Sequence, residues 1–355
     1  MLYYLGEVLK NFFGPARLLQ SYLVLIVIAL YLAFILTKII VPLFYVRLPH
    51  DRGREFVQGS EAARGKPTGS GIVFVSIFIF VAILCTPVSI VQTATLVLVW
   101  LTMLSGFLDD KSKTSWGEYR KALLDLCLSL AEAFLLVWNA QLQNDGNIFF
   151  WLPFFAKPIL VHPALYITIA TVMLWTSINT TNCTDGVDGL SSSLVLIALL
   201  TFGAIFYFVL GHIDIARYLL VPHLLDGAKW SVIVFSMLGA LLGYLWHNAY
   251  PSEVLMGDAG SRALGFFLGV CVMISGNPFL IFATSTIMLI NGGMGLFKVA
   301  LLRFFHIRIF SRVTFPLHDE MRKKYGWSPT QVLIKFFIMQ ILCTIALLGI
   351  FFKVR

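Results

Sequence analysis

Charged side chains are scarce in this chain. Asp, Glu, Lys and Arg make up 12% of its 355 residues, about half the roughly 25% of a soluble domain. With 59% hydrophobic residues and a mean hydropathy of +0.86, an ordinary soluble fold is excluded. Paired cysteines are missing as well. Cys85, Cys127, Cys183, Cys271 and Cys343 show no CxxC spacing, which argues against a thiolate metal site or a disulfide framework. They read as small buried hydrophobes, although Cys183 stands within a polar motif. HExxH, P-loop and Ser-His-Asp patterns are absent. The formal charge of +8 does not argue for nucleic acid, because no basic stripe with interleaved aromatics accompanies it. No cleavable signal peptide is evident, and Glu7 and Lys10 precede an apolar run expected to stay as the first span.

Long apolar runs are what the chain has instead. A membrane-spanning helix needs about 20 apolar residues. The runs predict ten spans, at 18–38, 70–89, 92–108, 122–142, 159–178, 188–210, 230–247, 263–276, 278–302 and 331–352. The expected fold is all-α: a polytopic membrane protein forming a single domain over residues 1–355. The break at Ser275-Gly276-Asn277-Pro278 suits a tight hairpin. Loops 1–2, 3–4, 5–6, 7–8 and 9–10 carry seventeen Lys and Arg, Arg262 among them, and the opposite side carries seven. The positive-inside rule makes the first side cytoplasmic and the termini external. No internal repeat or broken-helix pair marks a transporter.

Three motifs place aspartates beside glycines at the edges of these runs, all on the cytoplasmic side. Asp109 and Asp110 close span 3. Asn182-Cys183-Thr184-Asp185-Gly186-Val187-Asp188-Gly189 opens span 6, with Asp185 and Asp188 expected on one helical face at i, i+3. Met256-Gly257-Asp258-Ala259-Gly260-Ser261 precedes span 8, a short way after Asn248. Carboxylates near hydrocarbon are costly and usually functional. Magnesium takes oxygen ligands, often one or two carboxylates plus substrate phosphates. The pattern therefore predicts an enzyme that acts on a phosphorylated substrate at the cytoplasmic face. Glu61 to Gly71, with Arg64, Lys66 and Thr68, Arg120-Lys121, and the loop from Pro316 to Trp327 add cations nearby. Glu132 and Lys298 lie inside expected spans, as paired structural charges or as parts of the site.

Together the motifs resemble the polyprenyl-phosphate N-acetylhexosamine-1-phosphate transferase superfamily, within it the branch that makes lipid I for peptidoglycan. Asn248-Ala249-Tyr250-Pro251-Ser252-Glu253-Val254-Leu255-Met256-Gly257-Asp258 is similar to that branch's N-A-x-P-A-x-V-F-M-G-D, and Gly326-Trp327 leads similarly into the last span. The resemblance implies magnesium, undecaprenyl phosphate and UDP-N-acetylmuramoyl-pentapeptide, with UMP released, and it implies a homodimer. It further implies that Asp258 is the main magnesium ligand, with Asp109 and Asp110 beside it. Asn248 would support the metal and phosphate site, and Lys121 would neutralise diphosphate charge. Asn182, Asp185 and Asp188 would line the nucleotide pocket, with Thr68, Gly257 and Lys66 contributing. His318 would be catalytic, but it alone remains of the family's histidine triplet in Pro316-Leu317-His318-Asp319-Glu320. Ala63 stands for a family lysine and Gly293 for a family glutamine. Direct attack and a two-step route through an aspartyl-phosphate both fit these motifs. The alternatives are the sister branch that passes N-acetylglucosamine phosphate, a cation-coupled transporter, and a relative that has lost catalysis.

Overall fold

The computed structural model describes residues 1–51, 53, 64–143, 145–155 and 157–353. Arg52, Arg54 and Glu61-Ala62-Ala63 of the segment before span 2 therefore lie outside the described residues. Two short helical pieces come first, α1 (Leu2–Leu9) and a 3-10 turn (Gly14–Gln20). The chain continues through α2 (Tyr22–Leu43), α3 (Gly71–Cys85), α4 (Ile90–Lys111), α5 (Glu118–Gln143), α6 (Pro163–Thr184) and α7 (Leu190–Ala204). Then follow a short α8 (Ile213–Tyr218), α9 (Gly227–Asn248), α10 (Gly257–Ile274), α11 (Leu280–Met288), α12 (Met294–Phe305), α13 (Leu317–Tyr325) and α14 (Pro329–Lys353). A two-residue hairpin, β1 (Phe149–Phe150) against β2 (Ile159–Leu160), occupies the loop between α5 and α6.

Each of the ten expected spans is helical. Eight are long and apolar enough to cross a membrane, with α11 and α12 counted as one. The other two are α3, of 15 residues, and α6, which is long but rich in Thr and Asn. Apolar side chains drive this packing. Those left exposed, such as Phe80, Trp100, Phe134, Ile338 and Leu342, suit a hydrocarbon surround. α10 is the central element, with 94% of its span buried, whereas α14 is buried over only 17% of its window. α10 packs mainly on α6 and α4, and α9 on α2. Small residues permit those contacts: a Cβ on Gly106 would strike the backbone of Asp258, and one on Gly71 that of Gly260.

Local sequence explains where helices start and stop. Ser89 and Gln92 form a reciprocal capping box at the start of α4, which satisfies two otherwise orphaned N–H groups. At the expected hairpin Gly276 has φ +72° and Asn277 Oδ1 accepts from the Phe279 N–H at 3.0 Å. The run Asn291-Gly292-Gly293 ends the π-turn Leu289–Gly293 that interrupts the ninth span.

Three expectations need correction. The eighth span begins at Gly257, six residues early, so Asp258 lies in the first turn of α10. Its first turn is too polar for an apolar run to announce it. Arg262 is not a loop cation, since it is 1% exposed within α10. Asp185 and Asp188 do not share a helical face. α6 stops at Thr184 with Asp185 as its C-cap, and Gly189, at φ +75°, begins α7. The two aspartates occupy the turn between, and left-handed Gly189 opens the next helix.

Candidate active site

The ends of four helices meet around Lys121. The ammonium, in the first turn of α5, forms ion pairs with Asp109 at the end of α4 and, at 2.9 Å, with Asp258 at the start of α10. Asn182, in the last turn of α6, donates from Nδ2 to Asp258 Oδ1 at 3.1 Å. The Trp116 N–H donates to Asp109 Oδ1 at 2.7 Å. Both carboxylates are nearly buried. Asp258 also gains from its place in the first turn of a helix, where the macrodipole favours negative charge.

Asp110 has a different task. Its two oxygens accept from the backbone N–H groups of Asp258 and Ala259, both at 3.0 Å. It thus caps α10 from another helix, as a side-chain oxygen at an N-cap does. Gly69 and Gly257, at φ +75° and +67°, let the backbone close around this carboxylate. Thr68 stands next to Gly69, buried, with its N–H donating to Pro49 O. Leu255 N donates to Pro67 O and Ser70 N to Leu255 O, so residues 67–70 are laced to the strand-like approach to Gly257.

A second group surrounds Asp188. It accepts from the Ser252 N–H at 3.0 Å and lies 3.7 Å from the Lys66 ammonium, which donates to Ser252 Oγ. Asn248 is buried here, accepting from Gly189 N and donating to Val254 O, both at 2.9 Å. Its amide therefore fastens the 185–189 turn to the segment leading to Asp258.

His318 forms a third group. Its backbone N–H donates to Asn291 Oδ1 at 2.8 Å and its Nδ1 lies 3.1 Å from the same oxygen. A Cβ on Gly186 would strike Nε2, so the ring rests on the Asp185-Gly186 turn. Burial lowers the imidazole pKa to about 4, against the opposing pull of Asp319 and with help from Arg322. The ring is neutral near pH 7. Lys298 does not join the site, since it donates to Phe310 O and Val313 O. Glu132 accepts from Thr95 at 2.9 Å far along α5.

Sequence reasoning missed Asn291, whose signal was a polar residue in the middle of an apolar run. It also missed the buried Asp125–Arg262 pair, whose partners are distant in the chain.

The donor set fits one divalent cation held jointly with phosphates. Among the described residues no group of three or more His, Cys, Asp or Glu forms a protein cage, but magnesium does not need one. Asp109 and Asp258 supply carboxylate oxygens, two acids around the one Lys121 ammonium.

Residues 92–276 match the family model described as glycosyl transferase family 4. A relative from Treponema pallidum is 55% identical, over 98% of this chain and 95% of its own length. One from Gemmatimonas aurantiaca is 34% identical over 91% of each chain, and one from Campylobacter hominis is 28% identical over 97% of this chain and 98% of its own. All three are named phospho-N-acetylmuramoyl-pentapeptide-transferase. The chain belongs to glycosyl transferase family 4, alongside these transferases.

Proposed function

We propose that this chain transfers phospho-N-acetylmuramoyl-pentapeptide from UDP-N-acetylmuramoyl-pentapeptide to undecaprenyl phosphate, giving lipid I and UMP. One observation carries the chemistry: Lys121 bridges Asp109 and Asp258 at a helix N-terminus, a place suited to phosphate. The names of the relatives supply the substrates.

In the reaction a phosphate oxygen of the lipid attacks the β-phosphorus of the donor. The bond from that phosphorus to the bridging oxygen breaks, and UMP leaves with that oxygen. Asp258 and Asp109 would hold magnesium, with Asn182 orienting Asp258. When bound, the ion supplies charge stabilisation to the diphosphate. Lys121 neutralises the charge that develops on the leaving phosphate. Asp109 faces the Lys121 ammonium, whereas both Asp110 oxygens accept from the backbone at the start of α10. Asp109 therefore acts on the phosphates together with Lys121, and Asp110 by holding Asp258 in place. Asp188, Lys66 and the 185–189 turn, backed by His318, form the wall assigned to the nucleotide.

The same reading places the site on the cytoplasmic side of a bacterial inner membrane and both termini outside, on the distribution of Lys and Arg. The soluble donor and the lipid acceptor meet at such a surface. A homodimer belongs to the proposal as well, and light scattering in detergent tests it.

The experiment is UMP release by purified protein with both substrates, with and without magnesium. Magnesium-dependent release that needs both substrates supports the proposal. Release with UDP-N-acetylglucosamine alone moves the chain to the sister branch.

A further inference from the structure

One turn along from Lys121 and Asp258 lies a second ion pair. Asp125 follows Lys121 by four residues on α5, and Arg262 follows Asp258 by four on α10. Arg262 Nε donates to Asp125 Oδ1 at 3.1 Å, and Nη2 donates to the same oxygen. Arg262 and Asp125 are 1% and 2% exposed.

Each of these four groups has an opposite charge at i±4 on its own helix, where pairs form readily. The structure places close ion pairs between the helices instead. Lys121 pairs with Asp258 and Arg262 with Asp125, both across the helix interface. Both helices run away from the site in the same direction. A slip of one turn would then set Lys121 against Arg262, or Asp125 against Asp258, like against like. Stability alone is a poor reason for the second pair, because apolar residues often replace a buried ion pair at no cost. Arg262 Nη1 is moreover buried without a hydrogen-bond partner, so the pair is not optimised for energy. Register is the best-attested use of buried polar groups.

We infer that Arg262 and Asp125 are positioning residues: their charge order fixes the register of α5 on α10 and so holds Lys121 against Asp109 and Asp258. This rests on the transferase reading for its kinetic readout.

The test compares two double variants with wild type. Arg262→Leu/Asp125→Leu removes both charges together, so the fold survives. Its kcat for UMP release should fall at least about 100-fold, since a 1 Å misplacement already costs about that much, while the KM for the UDP-sugar stays within about 3-fold of wild type. The charge swap Arg262→Asp/Asp125→Arg restores attraction between the helices, but it makes the slipped registers attractive too. It should therefore fail to restore kcat. Wild-type kcat in the double leucine variant, or full rescue by the swap, overturns the inference. If wild type itself releases no UMP, the transferase reading fails instead. The register is then read from melting curves with magnesium alone. The half-maximal magnesium concentration should be lower in the double leucine variant, because Lys121 has left the carboxylates. An unchanged value counts against the inference.

Discussion

Asp110 holds the backbone N–H groups of Asp258 and Ala259 at 3.0 Å each, so one aspartate of the site is the cap for the helix that carries another. Adjacent residues on a helix point about 100° apart. Asp109 and Asp110 use that divergence, one facing Lys121 and the other the start of α10.

The two kinds of aspartate should fail differently. Asp110→Ala loses a cap with two hydrogen bonds, each worth at least about 0.5–1.5 kcal/mol, so its melting temperature should drop along with its activity. Asp258→Asn should melt near wild type and lose at least about 100-fold in UMP release. Full magnesium-dependent turnover by Asp258→Asn would remove the metal assignment.

Lys121 competes with any cation for Asp109 and Asp258. Lys121→Met should therefore bind magnesium more tightly in the absence of substrate, seen by calorimetry, yet turn over about 100-fold more slowly. Weaker magnesium binding would mean that the carboxylates need the ammonium to stay together.

His318 gives the stability a pH dependence with a definite sign. Its folded pKa, about 4, lies below the ordinary histidine value of about 6.5. Between those values the unfolded state binds the proton and the folded state does not, so stability falls as pH drops from about 6.5 towards 4. His318→Gln should flatten that part of the melting-temperature profile. A profile that is the same in both proteins would show that the imidazole is not buried neutral.

Gly186→Ala tests the contact between the nucleotide wall and the last loop. The added methyl group meets Nε2 of His318, so the ring or the turn must shift. The KM for the UDP-sugar should rise several-fold with little change in the lipid KM. Equal changes in both would argue against placing this turn at the nucleotide.

Much of this was legible in the sequence because hydropathy reports burial in a membrane directly. All ten runs became helices, and the alternation of loops correctly put the motifs at one end of the bundle. Polar helix termini were not legible. The first two turns of α10 carry Asp258 and Arg262, whose charges hide the start of the helix. Gly189 gave no sign that it would restart a helix in a left-handed conformation and leave Asp185 and Asp188 in a turn. The hydrogen bonds of the Asn248 amide with Gly189 and Val254 were likewise not legible. Partners far apart in the chain, such as Asp125 and Arg262, cannot be paired from one sequence.

The glycine contacts around α10 have a wider consequence. Gly71 and Gly106 bring their helices onto the main chain of residues 258–260, and Gly257 brings the start of α10 onto the Gly69 N–H. The placement of Asp258 is thereby set by peptide planes, which have no rotamers to exchange. Side chains farther out can drift over evolutionary time without moving the reacting carboxylate. A change at any of these glycines, however small and however far from the substrates, would be felt there at once.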